Sequence, residues 1–311
     1  MVGRRIAITG ATGFIGGALV RELAHAGHQI KVLVRPQSLA KTRNLPNDID
    51  VILGNLDNEA SIQEFLSDAD SVIHCAGAVR GATEASFIRT NEKAVHDLVG
   101  AVVSEPKIDR FLLISSLAAS QPDVSAYAAS KKAGEDVLSG ADLNCVSTVF
   151  RPPAVYGPGD TELLPLFKTM SRGFAPIWNS SEHRFSLIYI SDLVSAVTAW
   201  VSSSRPPAGI FELCDGQPGG YSMDGVIKVA ENVLRRRIRP ITVPSVVLNI
   251  LARSNVMLAR LFHYEPMLTP WKLRELRYPR WVCDNSDIAE KLAWEPCVQL
   301  AEGLPLTLVE R

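Results

Sequence analysis

The sequence predicts an α/β protein, a doubly wound parallel sheet carrying a smaller, mostly C-terminal lobe. Three observations predict it. Six short aliphatic runs recur, helical stretches between them are long enough to cross back over a sheet, and the rhythm breaks after about residue 150, where proline and glycine cluster. The runs are 5–9, 29–34, 51–53, 71–73, 111–114 and 146–150, and the helical stretches are 15–26, 61–66, 90–103 and 125–138. The second half is punctuated by Arg151-Pro152-Pro153, Gly157-Pro158-Gly159, Pro206-Pro207 and Gly219-Gly220. The expected organisation is therefore a sheet domain over 1–150 and a lobe over 151–311 interleaved with the end of the sheet. A helix starting near Ser222 ends in Arg235-Arg236-Arg237, cations that suit a helix C-terminus.

Composition narrows the function classes. With 311 residues, 47% apolar and 21% charged, the chain can bury a large core, which excludes disordered and mini-protein readings. Thirty-two basic against 33 acidic residues leave a formal charge of −1, so no basic field is available to hold nucleic acid. The five cysteines (Cys75, Cys145, Cys214, Cys283, Cys297) are scattered and form no C-x-x-C pair, which argues against disulfides and a metal site and for a reducing, cytoplasmic setting. The apolar N-terminus is broken by glycines and reads as a strand and turn rather than a signal peptide. The nearest approach to a membrane span, 241–252, is short and carries Pro244, Ser245 and Asn249, so no integral membrane segment is expected.

The first chemical signal is Thr9-Gly10-Ala11-Thr12-Gly13-Phe14-Ile15-Gly16, directly between a strand and a helix. Glycines at this turn let the backbone approach a pyrophosphate, which then meets free amides and the positive end of the helix. The Gly-x-x-Gly-x-x-Gly spacing is one residue longer than the common dinucleotide fingerprint, and a tight turn alone would not need three glycines in this register. An acid about 20 residues on would accept from the ribose hydroxyls of NAD. Here the second strand ends in Arg35 with no acid before Asp48, and a guanidinium suits a 2′-phosphate. The expected cofactor is NADP, with Lys41 and Arg43 as further cations.

The second signal is a strand ending in Ser115-Ser116, followed eleven residues later by Tyr127-Ala128-Ala129-Ser130-Lys131. Tyr127 and Lys131 share a helix face. A phenol near pKa 10 is a weak base at neutral pH, and a neighbouring ammonium stabilises its phenolate. Ser116 can hold the reacting oxygen. Tyr-x-x-x-Lys alone is weak; downstream of a nucleotide loop and a sheet strand it becomes specific.

With these motifs the chain resembles the extended short-chain dehydrogenase/reductase superfamily, which holds NAD(P)-dependent epimerases and dehydratases, flavonol-type reductases and 3β-hydroxysteroid dehydrogenases. The likeness extends to Val72-Ile73-His74-Cys75-Ala76-Gly77, Asn91, the run from Arg151 to Gly159, Ile188-Tyr189-Ile190-Ser191-Asp192-Leu193 and Leu292-Ala293-Trp294-Glu295-Pro296. The resemblance implies a Rossmann fold in which Tyr127 donates or accepts the proton, Ser116 orients the substrate oxygen and Lys131 also binds the nicotinamide ribose. It implies cofactor contacts from Gly10, Thr12, Gly13, Phe14, Ile15 and Gly16, from Ala76, Gly77 and Asn91, and from Pro152 and Val155. Asn55-Leu56 stands where the family more often has Asp-Leu near the adenine, and an amide can both donate and accept there.

The expected activity is NADP-dependent hydride transfer between nicotinamide and a carbonyl or secondary alcohol of a small molecule. Two alternatives stay open: a nucleotide-sugar epimerase or dehydratase, and a non-catalytic NAD(P)-binding protein. The density of large apolar residues from Pro244 to Leu276 points to a lipophilic substrate, and the interspersed Arg253, Arg260, Lys272, Arg274 and Arg277 to a peripheral contact with anionic lipid or, on the sugar-nucleotide reading, to phosphate. Ala94, Val95, Leu98, Val99 and Val102 form a stripe suited to a homodimer or to the sheet. His74 reads as cleft lining, Asp192 as stabilising a local turn, and Trp178, His183, Arg184 and Phe185 as packing or specificity residues.

Overall fold

The computed structural model describes residues 3–178, 182–262 and 264–309. Its first half alternates as expected: β1 (Arg5–Thr9), α1 (Phe14–His25), β2 (Gln29–Val34), β3 (Asp50–Leu53), α2 (Glu59–Leu66), β4 (Ser71–His74), α3 (Glu84–Ile88), α4 (Ala94–Val103), β5 (Arg110–Ile114), α5 (Ala126–Gly140) and β6 (Val146–Arg151). The second half contributes β7 (Ala154–Tyr156), α6 (Leu164–Ser171), β8 (Phe174–Ile177), β9 (Arg184–Phe185), β10 (Leu187–Tyr189), α7 (Ile190–Ser202), β11 (Gly209–Glu212), α8 (Met223–Leu234) and β12 (Arg239–Thr242). It closes with α9 (Ser245–Phe262), α10 (Pro270–Arg277), β13 (Arg280–Trp281), α11 (Ser286–Leu292) and α12 (Leu300–Leu308).

Seven strands form one sheet in the order β11-β6-β5-β4-β1-β2-β3, every pairing parallel. Strands β4 and β5 are buried at every position, which is why they read as continuous apolar runs rather than alternations. One face is packed by Leu19, Val20 and Leu23 of α1 with Leu193, Val197 and Trp200 of α7. The other is packed by Ile62, Phe65 and Leu66 of α2 with Val95, Leu98, Val99 and Val102 of α4. Strand order reverses between β1 and β4, the switch point where ligands bind in such sheets. The seventh strand, β11, comes from beyond residue 150, so the second half completes the sheet as well as forming the lobe.

Three sequence expectations change. The α4 stripe Ala94, Val95, Leu98, Val99 and Val102 is buried within the chain, so those residues are spent on the sheet and present no homodimer surface. Pro244 lies before α9 and does not break it. The helix runs 18 residues and, among the described residues, is the one helix long and apolar enough to cross a membrane by length and composition. Asp192 accepts from Val298 N at 2.9 Å, tying α7 to the C-terminal segment 106 residues away rather than closing a local turn. Arg235 caps α8 in a left-handed conformation, whereas Arg236 reaches across to the Ser171 carbonyl at the end of α6, at 2.9 Å. Trp178 and Phe185 pack against the main core.

Candidate active site

At the C-terminal end of β1 the chain turns through Gly10, whose φ of +74° places its backbone against β4; a Cβ there would lie 2.7 Å from Ala76 N. A Cβ on Gly16 would lie 2.2 Å from the Gly10 carbonyl, so the helix can begin this close to the strand only with glycine. Gly13 N donates to Gly10 O at 2.9 Å, and no side chain caps the first turn of α1. The orphan amides of Phe14, Ile15 and Gly16 are therefore left for an anion, and Thr12 and Gly13 stand at the same mouth. A dinucleotide pyrophosphate fits this cradle. Thr9, fully buried, fixes the second wall: its hydroxyl accepts from Cys75 N at 3.2 Å and Ala76 N at 3.1 Å. Its own hydrogen is then directed to His74 Nδ1 at 2.9 Å, leaving the imidazole proton on Nε2, which has no partner. Burial and nearby Lys131 push His74 down to about pKa 3, so it is neutral and lines the cleft, as the sequence suggested.

Asn91 sits on a π-helical turn, Arg89–Lys93, between α3 and α4. Its amide accepts from Ala78 N at 2.8 Å and donates to Ala78 O and to Ser130 Oγ, each at 3.0 Å. Asn91 thus locks the loop after β4 onto α5, and Gly77 lies between it and Lys131. This side chain positions the site, because its hydrogen bonds are already committed.

Helix α5 begins at Ser125, whose hydroxyl accepts from Ala128 N at 3.0 Å and donates to Glu275 at 2.5 Å. That cap sets the first turn and with it Tyr127. The Ser116 side chain, whose hydroxyl accepts from Ala118 N at 3.2 Å, lies beside the Tyr127 phenol and works to lower its pKa. Burial, with smaller contributions from Glu275 and Glu162, pushes the phenol well above its usual range, so it is protonated at neutral pH. Lys131 is buried one turn along; burial lowers it to about pKa 8 against the opposing pull of Cys75 and Glu135, and its Nζ donates to the Ile114 carbonyl at 2.9 Å. The sequence expected the ammonium to draw the phenol down, but here the lysine is held by β5 and burial dominates the tyrosine. Leu117 N donates to the Pro152 carbonyl at 2.8 Å, fixing the turn after Ser116, while Val155 packs half-buried against the core.

Arg35, Asn55 and Leu56 stand apart from this cluster, at the ends of β2 and β3. Arg35 is exposed, and Lys41 and Arg43 follow on an exposed 3-10 turn. Asn55 uses its oxygen to accept from Asp57 N at 2.8 Å, leaving its amide nitrogen free for a ligand. Leu56 packs against the second core.

Several site residues were not singled out from sequence. Glu135 is fully buried; it accepts a two-pronged contact from Arg151 (2.9 and 2.5 Å) and a hydrogen bond from Ser115. It lies four residues beyond Lys131 on the same helix face, a spacing that could have flagged it. Phe87 makes an edge contact with Tyr127 at 6.0 Å and another with Trp271 at 6.2 Å. With Val79, Pro266 and Met267 they wall a narrow crevice of about 10 Å³ over Tyr127, whose polar lining is Arg80, Thr269, Lys272 and Glu275. Both pocket cations are engaged, Arg80 with Glu162 at 2.6 Å and Lys272 with Glu275 at 3.0 Å.

A glycine cradle at the switch point, with a Ser116–Tyr127–Lys131 set at the end of the adjoining strand and on the helix, its lysine buried, defines a nicotinamide-dependent oxidoreductase of the extended short-chain dehydrogenase/reductase type. The NAD dependent epimerase/dehydratase family profile matches residues 6–214, and the chain belongs to that family. It is 34% identical over 288 residues to the ceramide reductase of Caulobacter vibrioides, covering 92% of this chain and 88% of the relative. A dTDP-4-dehydro-6-deoxy-D-allose reductase from a Streptomyces species is 26% identical over 298 residues, covering 82% and 91%. Among solved structures, the Bacillus cereus UDP-glucuronic acid 4-epimerase in complex with NAD superimposes with a TM-score of 0.75 at 19% identity, covering 98% of this chain and 97% of the other.

Proposed function

We propose that the protein is an NADP-dependent reductase acting on a carbonyl of a lipophilic substrate, with Tyr127 as the proton donor. The observation that carries the reading is the pocket over Tyr127: apolar on the sides of Phe87, Met267 and Trp271, with both of its cations already paired to carboxylates. A nucleotide diphosphate would need free cations there, whereas a hydrocarbon skeleton needs only the walls. The identity to a ceramide reductase supports the same class.

The cofactor would be held by the glycine cradle, Ala76, Gly77, Lys131 and, at the adenosine end, Arg35 and Asn55; when bound, its nicotinamide supplies the hydride. Ser116 donates a hydrogen bond to the substrate oxygen and fixes it beside Tyr127 Oη. Tyr127, kept protonated by burial, delivers its proton to that oxygen as negative charge develops there. Lys131, on the same face, then stabilises the phenolate until solvent returns the proton. Arg35 in place of an acid supports NADP over NAD.

The sugar-nucleotide reading is favoured by the dTDP-sugar relative and makes opposite demands on the pocket. The purified enzyme should be given NADPH with long-chain keto lipids and, separately, with dTDP- or UDP-linked keto sugars, following loss of NADPH absorbance. Consumption with the lipids alone is expected. Consumption with the keto sugars alone would reject the lipophilic reading, and product formation from a sugar nucleotide without net NADPH change would make the protein an epimerase.

A further inference from the structure

Helix α9 turns its apolar side away from the protein. At about 100° per residue, Val246, Val247, Ile250, Leu251, Met257, Leu258, Leu261 and Phe262 fall within an arc of roughly 160°, and the buried Ala252 and Ala259 lie opposite. Val246, Met257, Leu261 and Phe262 are each about two-thirds exposed (67–68%). Nowhere else among the described residues do so many large apolar side chains face solvent on one element. One edge of the arc carries Arg253 and Arg260, which make no ion pair among the described residues. Over residues 245–280 six Lys and Arg face two Glu, in a chain whose total charge is −1.

We infer that α9 docks the protein in the plane of a bilayer surface containing anionic lipid, its apolar arc sunk to the acyl boundary and Arg253 and Arg260 among the headgroups. A bilayer surface answers both halves of the pattern at once, apolar arc and flanking positive charge. The helix lies on the membrane rather than across it, because its other side is tied to the protein. Asn255 donates to the Leu268 carbonyl at 2.9 Å, Tyr264 donates to the Asn255 carbonyl at 3.1 Å, and Arg277 donates to Asn249 at 3.2 Å. The segment that follows α9 supplies Pro266, Met267 and Trp271 to the wall over Tyr127, so docking brings the mouth of the site to the lipid surface.

The test needs no substrate, so it stands or falls apart from the reductase reading. The full chain is mixed with vesicles of phosphatidylcholine plus phosphatidylglycerol, or of phosphatidylcholine alone, and bound protein is recovered by flotation. Binding to the anionic vesicles that weakens with salt is expected. Met257→Glu with Leu261→Glu should lower affinity about tenfold or more by placing charge in the apolar arc, and Arg253→Gln with Arg260→Gln by about 30-fold. All four positions are exposed, and unchanged circular dichroism would show that the variants fold. Failure of the unaltered protein to float with anionic vesicles, or binding by both double variants as tight as that of the unaltered protein, overturns the inference. So does a sedimenting dimer that Met257→Glu with Leu261→Glu dissociates, which would give the face to a second copy.

Discussion

The sheet and the α9–α10 hairpin use apolar residues in opposite ways. In β4, β5, α2 and α4 they are buried within the chain's own core, and the buried polar groups on neighbouring elements, Thr9 of β1, Asn91 of the π-helical turn and Glu135 of α5, each have named partners. In α9 most large apolar side chains face outward, and Lys272, Glu275 and Ser125 link the hairpin to the sheet side through a short polar chain. The contrast assigns different work to the two regions. The sheet holds groups whose misplacement by an ångström would stop proton transfer, and the hairpin presents a surface that selects what arrives.

Three changes on the sheet side should sharpen that division, the largest first. Tyr127→Phe removes the transferable proton while keeping the ring against Phe87, so turnover should fall by about 10²–10⁴ with cofactor affinity little altered, measured by steady-state rates and nucleotide titration. Turnover close to normal would move the chemistry elsewhere. In the same assays the unaltered enzyme should lose kcat/KM as pH rises through about 8, because Lys131, lowered to that value by burial, then gives up the charge that supports the phenolate.

Arg35→Asp comes next. Replacing the exposed guanidinium at the end of β2 with a carboxylate should weaken NADP by about 1.5–3 kcal/mol while sparing NAD. Calorimetric titration with both nucleotides decides it, and equal losses would show that Arg35 does not read the phosphate.

The smallest effect is on stability. His74 is held neutral in the fold, near pKa 3 against 6.5 when free. Between those values the unfolded chain binds a proton that the native chain does not, so His74 contributes stability that is intact above pH 6.5 and lost as pH falls toward 3. The slope is at most about 1.4 kcal/mol per pH unit. His74→Asn should flatten the dependence of urea unfolding on pH across this window; an unchanged slope would mean that His74 is protonated in the folded protein.

Six of the seven strands of the sheet were legible from sequence to within a residue, because buried parallel strands bounded by glycine or polar residues leave few other readings; β11, from beyond residue 150, was not. The cradle and the Ser–Tyr–Lys set were legible for a related reason, since each is a local motif on one turn or helix. What was not legible is long-range. Glu275 meets Ser125 across 150 positions, and Trp271 meets Phe87 across a comparable gap. In sequence Pro244 makes the stretch 241–252 look like a broken apolar run, whereas in the fold it only precedes the helix, which starts at Ser245. Arg253 and Arg260, considered from sequence as phosphate partners, are carried on a helix edge, and neither lines the Tyr127 pocket.

The π-helical turn at Arg89–Lys93 has a consequence for how this stretch of chain can change. Helices α3 and α4 form one rod whose halves are out of phase by a single residue, a rotation of about 100°. That offset lets Phe87 aim at Tyr127 while Val95, Leu98 and Val102 aim at the sheet, with Asn91 in the widened turn between them. Deleting one residue there would make a regular α-helix with every good helix-forming contact retained, yet it would rotate the aromatic wall away from the reacting oxygen. A change of length by one in this turn therefore alters every facing of the rod at once, which no single substitution does.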